Sequence, residues 1–231
     1  MTGIEPIALQ IGPTDLVETF LRGMGTAGVY ALISVGLSLI FGLMGILNFA
    51  QGALTTYGAY LGGGILATVA ITGGGPASIV ALIGAVIGVF VALTVFGAGI
   101  EYSLIRKIYD RPAIDQILLT FGLGLVLESF IEVILHLWNI DPFQIWSEPA
   151  QYGPTLVQAG SNINLGPIGF SGLMLFEFVV GVIVVAAVWL FLTRTRYGLY
   201  IRAGTEDDEM AEALGIQVRR VFTLVFGLGI G

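Results

Sequence analysis

The dominant pattern in this chain is a series of long apolar runs, interrupted by short groups of turn residues or charges. Residues 23–100 contain no Asp, Glu, Lys or Arg, and at roughly 20 residues per crossing this stretch has room for three helical spans. A transmembrane barrel needs segments of about ten residues in which polar and apolar positions alternate. Runs such as residues 79–96 do not alternate, so the pattern predicts membrane-spanning helices.

The predicted spans lie between breaks that have physical causes. Three glycines followed by Pro76 cannot continue a helix, because glycine favours turns and proline lacks an amide donor. Arg111 and Pro112 end the third crossing. The last apolar run holds roughly ten residues, too few to cross a bilayer. The expected spans are residues 23–43, 46–71, 77–100, 115–137, 173–193 and a run that begins near residue 221.

These spans predict an all-α, polytopic integral membrane helix bundle with about six spans, the last one incomplete. Residues 1–22 form an N-terminal segment, external or interfacial, and 23–231 form the transmembrane domain, whose C-terminal part we expect to be missing from this sequence. The N-terminal segment has no basic start of the kind that marks a cleaved secretory leader.

Composition supports the membrane assignment and removes several function classes. Hydrophobic residues make up 56% of the chain and charged residues only 11%, against about a quarter charged in soluble domains. The absence of cysteine excludes disulfides, thiol catalysis and cysteine-bound metals. A net charge of −7 argues against nucleic acid or anionic lipid as a partner. We predict no cofactor.

The distribution of cations predicts the orientation. Apart from Arg22, every Lys and Arg lies in residues 106–111 or 194–220, and loops rich in Lys and Arg stay in the cytoplasm. The segment 138–172 contains no cation and is predicted to be an external loop. The N-terminus then lies outside, unless residues 42–52 form a re-entrant break.

No nucleotide site is visible in the chain. Residues 23–28 match GxGxxG, but no strand precedes them and no acidic residue follows about 20 positions later, as a dinucleotide fold requires. Lys107 follows Arg106 rather than a glycine, so there is no Walker A motif. ATP hydrolysis by this chain itself is therefore not expected.

Three ionisable residues of the fourth predicted span lie on one helix face. Glu128, Glu132 and His136 are spaced four residues apart, and a carboxylate near the bilayer centre normally faces protein or water. Glu128 is a candidate for lining a solute path. The alternative is that Glu132 and His136 merely reach the outer interface. A metal site is not predicted, because three ligands in line on one helix do not surround an ion.

A polar cluster begins the second predicted span. Asn48, Gln51, Thr55 and Thr56 stand where uncapped amides in lipid would need partners. Asn48 is expected either to cap the helix or to line the solute path. Gln51 is expected to line the path, and Thr55 is assigned to the same lining.

Glycine pairs at small-xxx-small spacing predict close approach of helix backbones. Gly58 with Gly62 and Gly84 with Gly88 have this spacing. Packing within the chain is the preferred interpretation, and a contact with another subunit is the alternative.

The cation-rich segment 194–220 predicts a short helix with an apolar edge. Thr205 is expected to be its N-cap, followed by four acidic residues in the first turn. Gly215 is expected to be its C-terminal stop. The helix 206–214 would present Met210, Ala213 and Leu214 to a partner. The alternative, a connector lying on the membrane, is disfavoured because anionic lipid repels the acidic residues.

Three stretches of the chain resemble the membrane permeases of ABC importers for branched-chain amino acids, of the LivH type. They are GVYALISVGLSLIFGLMGILNFAQGALTTYGAYLG, DRPAIDQILLTFGLGLVLES and TRTRYGLYIRAGTEDDEMAEALGIQVRRV. The last is similar to the cytoplasmic EAA-type motif, in which Glu-Ala-Ala precedes a glycine. Glu209, Ala211 and Gly215 match this motif, and Met210 replaces the middle alanine.

The resemblance implies a multi-pass permease of the cell membrane. It would pair with a second homologous permease, dock two cytoplasmic ABC ATPases through the segment around Thr205 to Gly215, and receive solute from an external binding protein. Two departures are Gln51, where relatives often have histidine, and the further helices that the family has beyond residue 231.

Other functions remain open from the residues alone. A permease for urea or short amides and a passive solute channel are compatible with the polar lining. An intramembrane enzyme that uses Glu128, Glu132 and His136 is disfavoured, because no nucleophile is aligned with a base.

Overall fold

The computed structural model describes residues 12–70, 76–141, 162–165, 168–206 and 208–231. Within these residues the chain forms eight α-helices, a 3₁₀ turn at Ile105–Ile108 and a two-stranded hairpin. The helices are α1 Pro13–Met44, α2 Gln51–Ala70, α3 Pro76–Ser103, α4 Ala113–Leu137, α5 Gly172–Arg194, α6 Arg196–Glu206, α7 Asp208–Ala213 and α8 Val218–Ile230.

The prediction of a helical membrane bundle is confirmed. Among the described residues, four segments are long and apolar enough to cross a membrane. The second predicted span is a helix of 20 residues and the sixth a helix of 13 residues. The four long segments are Pro13–Met44, Leu82–Ile108, Ala113–Leu137 and Met174–Arg194.

The first helix begins earlier than the sequence indicated, at Pro13 rather than at residue 23. The polar residues that argued against a span lie on its exposed first turns. One of them, Glu18, accepts a hydrogen bond of 2.9 Å from the Gly169 amide. This bond ties α1 to a hairpin that the sequence did not predict, in which β1 Asn162–Leu165 pairs antiparallel with β2 Ile168–Ser171.

The long helices alternate in direction. α1 and α5 run parallel, because Gly25 lies against Met174 and Gly28 against Phe178. α2 runs antiparallel to α3, since Gly58 faces Leu93 and Gly62 faces Val89. This contact also shows that the first predicted glycine pair packs within the chain.

The second glycine pair has a different environment. A β-carbon added at Gly84 or Gly88 would meet nothing within 4 Å, so this face of α3 is open in the described chain. The predicted break at residues 72–75 lies outside the described residues.

The connection between α1 and α2, residues 45–50, buries every second residue inside the bundle. Gly45 ends α1 in the left-handed conformation, with φ 67°, which glycine adopts without steric penalty. Ile46 is 1% exposed and Ala50 is not exposed at all. Irregular backbone at membrane depth is tolerated only where protein or water satisfies it. The Thr120 hydroxyl of α4 does so by donating to the Leu47 carbonyl at 3.0 Å.

The main core surrounds the buried residues of this connection. Side chains from α1, α2, α3, α4 and α8 meet there, and all of them are less than a tenth exposed. They are Ile40, Ile46, Ala50, Leu54, Leu93, Ile100, Ile105, Leu127, Phe226 and Ile230.

The segment 194–220 contains two helices where one was predicted. Thr205 lies inside α6, where its hydroxyl donates to the Arg202 carbonyl at 2.8 Å, so the assignment of Thr205 as an N-cap is wrong. Thr195 is the residue that caps: its hydroxyl accepts a 3.0 Å hydrogen bond from the Gly198 amide, the third residue of α6.

The predicted stop at Gly215 is confirmed. Its φ is +85°, its amide donates to Glu212 O at 2.9 Å, and the Ile216 amide donates to Ala211 O at 3.0 Å. These two bonds form the Schellman arrangement that satisfies the last carbonyls of a helix. α7 is thereby held as a short helix of defined length.

Candidate translocation and coupling sites

Two amide side chains form a buried polar junction where α2 begins. Asn48 is 3% exposed and Gln51 is 9% exposed. The Asn48 Nδ2 donates to Gln51 Oε1 at 3.2 Å, and its Oδ1 accepts from the Ala50 amide at 3.1 Å. Asn48 therefore satisfies a backbone amide at the helix start and contacts Gln51 as well, while its place in a solute path stays a prediction.

Gln51 extends the junction to α8. Its Nε2 donates to the Gly229 carbonyl at 3.1 Å. Space for this contact exists because position 36 of α1 is a glycine: a β-carbon at Gly36 would lie 3.0 Å from the Gln51 Nε2. The junction thus connects the α1–α2 connection with α8 through neutral hydrogen-bonding groups.

The two threonines of α2 do not join this junction. The Thr55 hydroxyl donates to the Gln51 carbonyl at 2.9 Å and the Thr56 hydroxyl to the Gly52 carbonyl at 3.1 Å. Both bonds lie within one helix turn, and Thr55 is exposed. The assignment of Thr55 to a solute path stays a prediction.

The ionisable residues of α4 point away from the junction. Glu128, Glu132 and His136 are exposed, whereas Leu127 and Ile131 on the same helix are buried. A shallow groove follows the exposed face of α4, lined by Leu125, Val126, Ser129, Phe130 and Val133. The structure does not bring Glu128 to Asn48 and Gln51. A path beside Glu128 would therefore run along the outside of the described bundle.

No metal site is formed by the described residues. Among them, no three His, Asp or Glu side chains come close enough together to hold an ion.

A second polar centre, which the sequence did not predict, lies at the C-terminal end of α3. Glu101 is fully buried. Arg106 donates to it through Nε at 3.2 Å and Nη2 at 3.1 Å, and the Thr223 hydroxyl of α8 lies 2.6 Å from its Oε2. The Tyr109 hydroxyl also donates to Glu101. We call these four residues the Glu101 cluster.

The Glu101 cluster contains a fully satisfied carboxylate. Burial raises the pKa of the Tyr109 hydroxyl above its ordinary value, and the hydrogen bond to Glu101 raises it further, so Tyr109 remains a donor. The cluster joins α3, the 3₁₀ turn and α8. In the sequence, Glu101, Arg106 and Tyr109 were recognised only as part of a charged stretch that ends the third predicted span. The missed signal was an acidic residue directly after an apolar run, with an arginine five positions later.

The candidate coupling helix α7 presents the apolar edge that the sequence predicted. Met210 is 58% exposed and Leu214 is 75% exposed, whereas Ala211 is 2% exposed. Ala211 therefore anchors α7 to the bundle, and the neighbouring edge faces outward. The side chain of Glu209 lies outside the described part of the structure.

The coupling segment lies at the same end of the bundle as the Glu101 cluster. Thr223 contacts Glu101 and also donates to the Arg219 carbonyl at 2.9 Å. Arg106 and Arg219, from the two cation-rich segments, are therefore at one end of the molecule. A shared end agrees with the expectation that both segments lie on one side of the membrane, and the cytoplasmic location itself stays a prediction.

Replacing Gln51 with leucine is expected to lower the free energy of unfolding by about 2 kcal/mol, because Asn48 and the Gly229 carbonyl would lose a buried partner. Thr55→Val is the matched control. Its hydroxyl bonds only to its own helix and its shape is retained, so the change should stay within about 0.5 kcal/mol. Thermal unfolding in detergent measures both variants. Equal effects would show that the junction does not stabilise the fold.

Comparison with known proteins places the whole bundle in one family. Residues 19–229 match the family described as "Branched-chain amino acid transport system / permease component". The high-affinity permease protein LivH of Escherichia coli K12 is 23% identical over 213 residues, which cover 92% of this chain and 66% of LivH. BraD of Pseudomonas aeruginosa is 24% identical over 216 residues, with the same two coverages.

An archaeal relative shows the same similarity. The probable branched-chain amino acid transport permease protein LivH of Methanocaldococcus jannaschii is 23% identical over 199 residues, 84% of this chain and 56% of that protein. The chain thus spans 66% of the length of its bacterial relatives. No solved structure matches it significantly. Since the match extends through all the long helices, the chain is an integral membrane protein that belongs to the branched-chain amino acid transport permease family.

Proposed function

We propose that this chain is a translocating subunit of an ATP-driven importer in the cell membrane, with branched-chain or related amino acids as its solutes. The observation that carries the proposal is the family match over residues 19–229. The relatives are named as branched-chain amino acid permeases. In this proposal the chain is a transport permease rather than an enzyme, and separate subunits hydrolyse ATP.

The proposed partners follow from the same assignment. They are a second homologous permease, two cytoplasmic ATPases and an external solute-binding protein. The exposed edge of α7 supports the docking of an ATPase, because Leu214 and Met210 offer apolar area on a helix that a buried alanine and a Schellman stop hold in place. The hairpin β1–β2 lies at the end of the bundle that is external in this proposal, and that end would receive the binding protein.

The Asn48–Gln51 junction is the proposed control point of the solute path. A zwitterionic solute needs hydrogen-bond donors for its carboxylate and acceptors for its ammonium group, and primary amides supply both. In the structure these amides are occupied by each other and by the Gly229 carbonyl. Movement of α8 would release Gln51 to bind solute. Thr55 and Glu128, both exposed, are proposed to line the space shared with the second permease.

The coupling role of α7 is tested with Leu214→Asp in the complete reconstituted transporter. An ionised side chain in an apolar contact should lower solute-stimulated ATP hydrolysis and uptake together by about tenfold. Basal hydrolysis by the ATPases should remain. Leu214→Met keeps the apolar edge and should keep the activity. Gly215→Trp adds a second test, since any L side chain is strained at φ +85°. Normal uptake by Leu214→Asp would refute the coupling role.

The transport assignment itself is tested in proteoliposomes that contain the chain with its permease, ATPase and binding-protein partners. The expected result is ATP-dependent accumulation of labelled leucine. Excess isoleucine should suppress this accumulation, and excess urea should not. Leucine flux without ATP would indicate a passive channel. Suppression by urea or acetamide alone would indicate the amide permease instead.

A further inference from the structure

The cation-rich segment separates by charge into two helices. Three arginines lie at α6 or directly before it, namely Arg194, Arg196 and Arg202, and all three are exposed. α7 and the residue before it carry acidic residues and no cation. The acidic residues that disfavoured a membrane contact belong to the predicted helix 206–214, which did not include most of α6. The first half of the segment carries three arginines against Glu206 and therefore has the opposite net charge.

The position of α6 places its exposed residues beside the bundle instead of beyond its end. Ile201 is 1% exposed and shares a buried cluster with Leu39 of α1 and Val225 of α8. Those two residues lie about one to two turns inside the ends of their helices. Gly198 allows the close approach, because a β-carbon there would fall 2.6 Å from the Phe191 carbonyl oxygen at the end of α5. α6 therefore folds back against α5 at the level where a span leaves the membrane.

The exposed side chains of α6 have the chemistry of a lipid interface. Tyr197 is 55% exposed, Leu199 57% and Tyr200 38%. The two tyrosine rings meet edge to face with their centroids 6.3 Å apart. Tyrosine at the end of a span settles at the headgroup level of the bilayer. Arg196 and Arg202 are exposed on the same helix as these rings, so α6 exposes both apolar and cationic groups.

No ion pair joins these arginines to an acidic side chain of the described residues, although Glu206 of α6 stands four residues after Arg202. The ion pair found there joins Arg106 to Glu101, and Arg194, Arg196 and Arg202 take no part in it. Arg202 donates to the Gly198 carbonyl through Nε at 3.4 Å, which leaves its terminal nitrogens for another acceptor. The net charge of −7 does not oppose this, because beyond about 8 Å charges are screened and the local arginines dominate.

We propose that α6 binds the headgroups of anionic phospholipids, with Arg196 and Arg202 on the phosphates and Tyr197, Leu199 and Tyr200 at the acyl boundary. α7 then remains free of the membrane for a protein partner. The proposal goes beyond the transport function and does not depend on it. Lipid binding at α6 fixes one end of the 194–220 segment to the bilayer, so that a displacement of α7 passes to α8 rather than moving the whole segment.

The test uses the absence of cysteine from the chain, which makes a single introduced cysteine a specific attachment point for a fluorophore. The full chain with Leu199→Cys is labelled and placed in vesicles of phosphatidylcholine and phosphatidylglycerol. One of the two lipids at a time carries bromine on its acyl chains as a quencher. Leu214→Cys, directly after α7, is the matched control, since that residue is also a strongly exposed leucine.

The expected result is quenching at position 199, stronger with brominated phosphatidylglycerol than with brominated phosphatidylcholine, and little quenching at position 214. Adding Arg196→Gln and Arg202→Gln should remove the preference for phosphatidylglycerol. Each arginine near an anionic surface contributes about fivefold to this preference. Arg220→Gln, an exposed arginine of α8, should leave it unchanged.

Three results would overturn the proposal. They are no quenching at position 199, equal quenching by the two lipids, and loss of quenching when the ATPase subunits are added. The last result would show that a protein covers α6. None of them bears on ATP-dependent uptake, which is measured separately with unlabelled protein.

Discussion

Gly28→Leu is expected to abolish the folded bundle. α1 and α5 touch backbone to backbone at this position: a β-carbon on Gly28 would lie 2.6 Å from the Glu177 carbonyl oxygen and 2.7 Å from the Phe178 Cα. Small residues at such crossings let helices pack closely in lipid, where no hydrophobic force brings them together. Backbone atoms cannot move aside as a side chain can. We expect a loss of about 3 kcal/mol or more in the free energy of unfolding.

The matched control is Gly23→Leu on the same helix, because a β-carbon there would meet nothing within 4 Å. The measurement is the fraction of monodisperse protein after extraction and its thermal unfolding temperature. Gly181→Leu on α5 should repeat the effect of Gly28→Leu, since its β-carbon would lie 2.8 Å from the Gly28 carbonyl oxygen. If Gly28→Leu were as stable as Gly23→Leu, the parallel packing of α1 on α5 would be wrong.

Arg106→Ala is expected to cause the second large loss, about 2 to 3 kcal/mol, because it leaves the buried Glu101 carboxylate without its cation. Glu101 is fully buried and the Arg106 side chain is 24% exposed. Water therefore screens part of the interaction, and the effect should lie at the lower end of the range for buried pairs. Thermal unfolding of the purified chain in detergent measures it.

A second substitution identifies the cause of this loss. Glu101→Gln in the Arg106→Ala background removes the buried charge but keeps an acceptor for Tyr109 and Thr223, so much of the stability should return. Arg111→Ala is the control, because that arginine is exposed in the same connection. Failure of Glu101→Gln to restore any stability would mean that Arg106 acts through packing, for example on the Tyr102 ring 4.6 Å away.

The parts of the fold that the sequence predicted well are those set by charge and by helix breakers. α3 was expected at 77–100 and runs from Pro76 to Ser103, because proline and a charged stretch bound an apolar run. Gly215 was identified correctly, since a glycine after a short helix has few other roles. α1 was predicted too short because its first turns carry polar residues, which a helix end outside the lipid accepts.

The remaining differences have one physical origin, which is that periodicity identifies a helix face but not its neighbour. Glu128 was correctly aligned with Glu132 and His136, yet the pattern could not show that Leu127 and Ile131 would face the bundle instead. Thr195 and Thr205 can both cap a helix by residue type, and only the structure shows that Thr195 does so. The Glu101 cluster required a contact with Thr223, 122 positions away.

The central claim is that both cation-rich segments lie at one end of a membrane bundle and that this end faces the cytoplasm. Single cysteines at Trp138, Arg111 and Leu214, introduced one at a time into the cysteine-free chain, can be labelled in intact cells with a membrane-impermeant maleimide. We predict labelling at position 138 from outside, and at positions 111 and 214 only after permeabilisation. Labelling of position 214 from outside, or of positions 111 and 214 from opposite sides, would contradict the account.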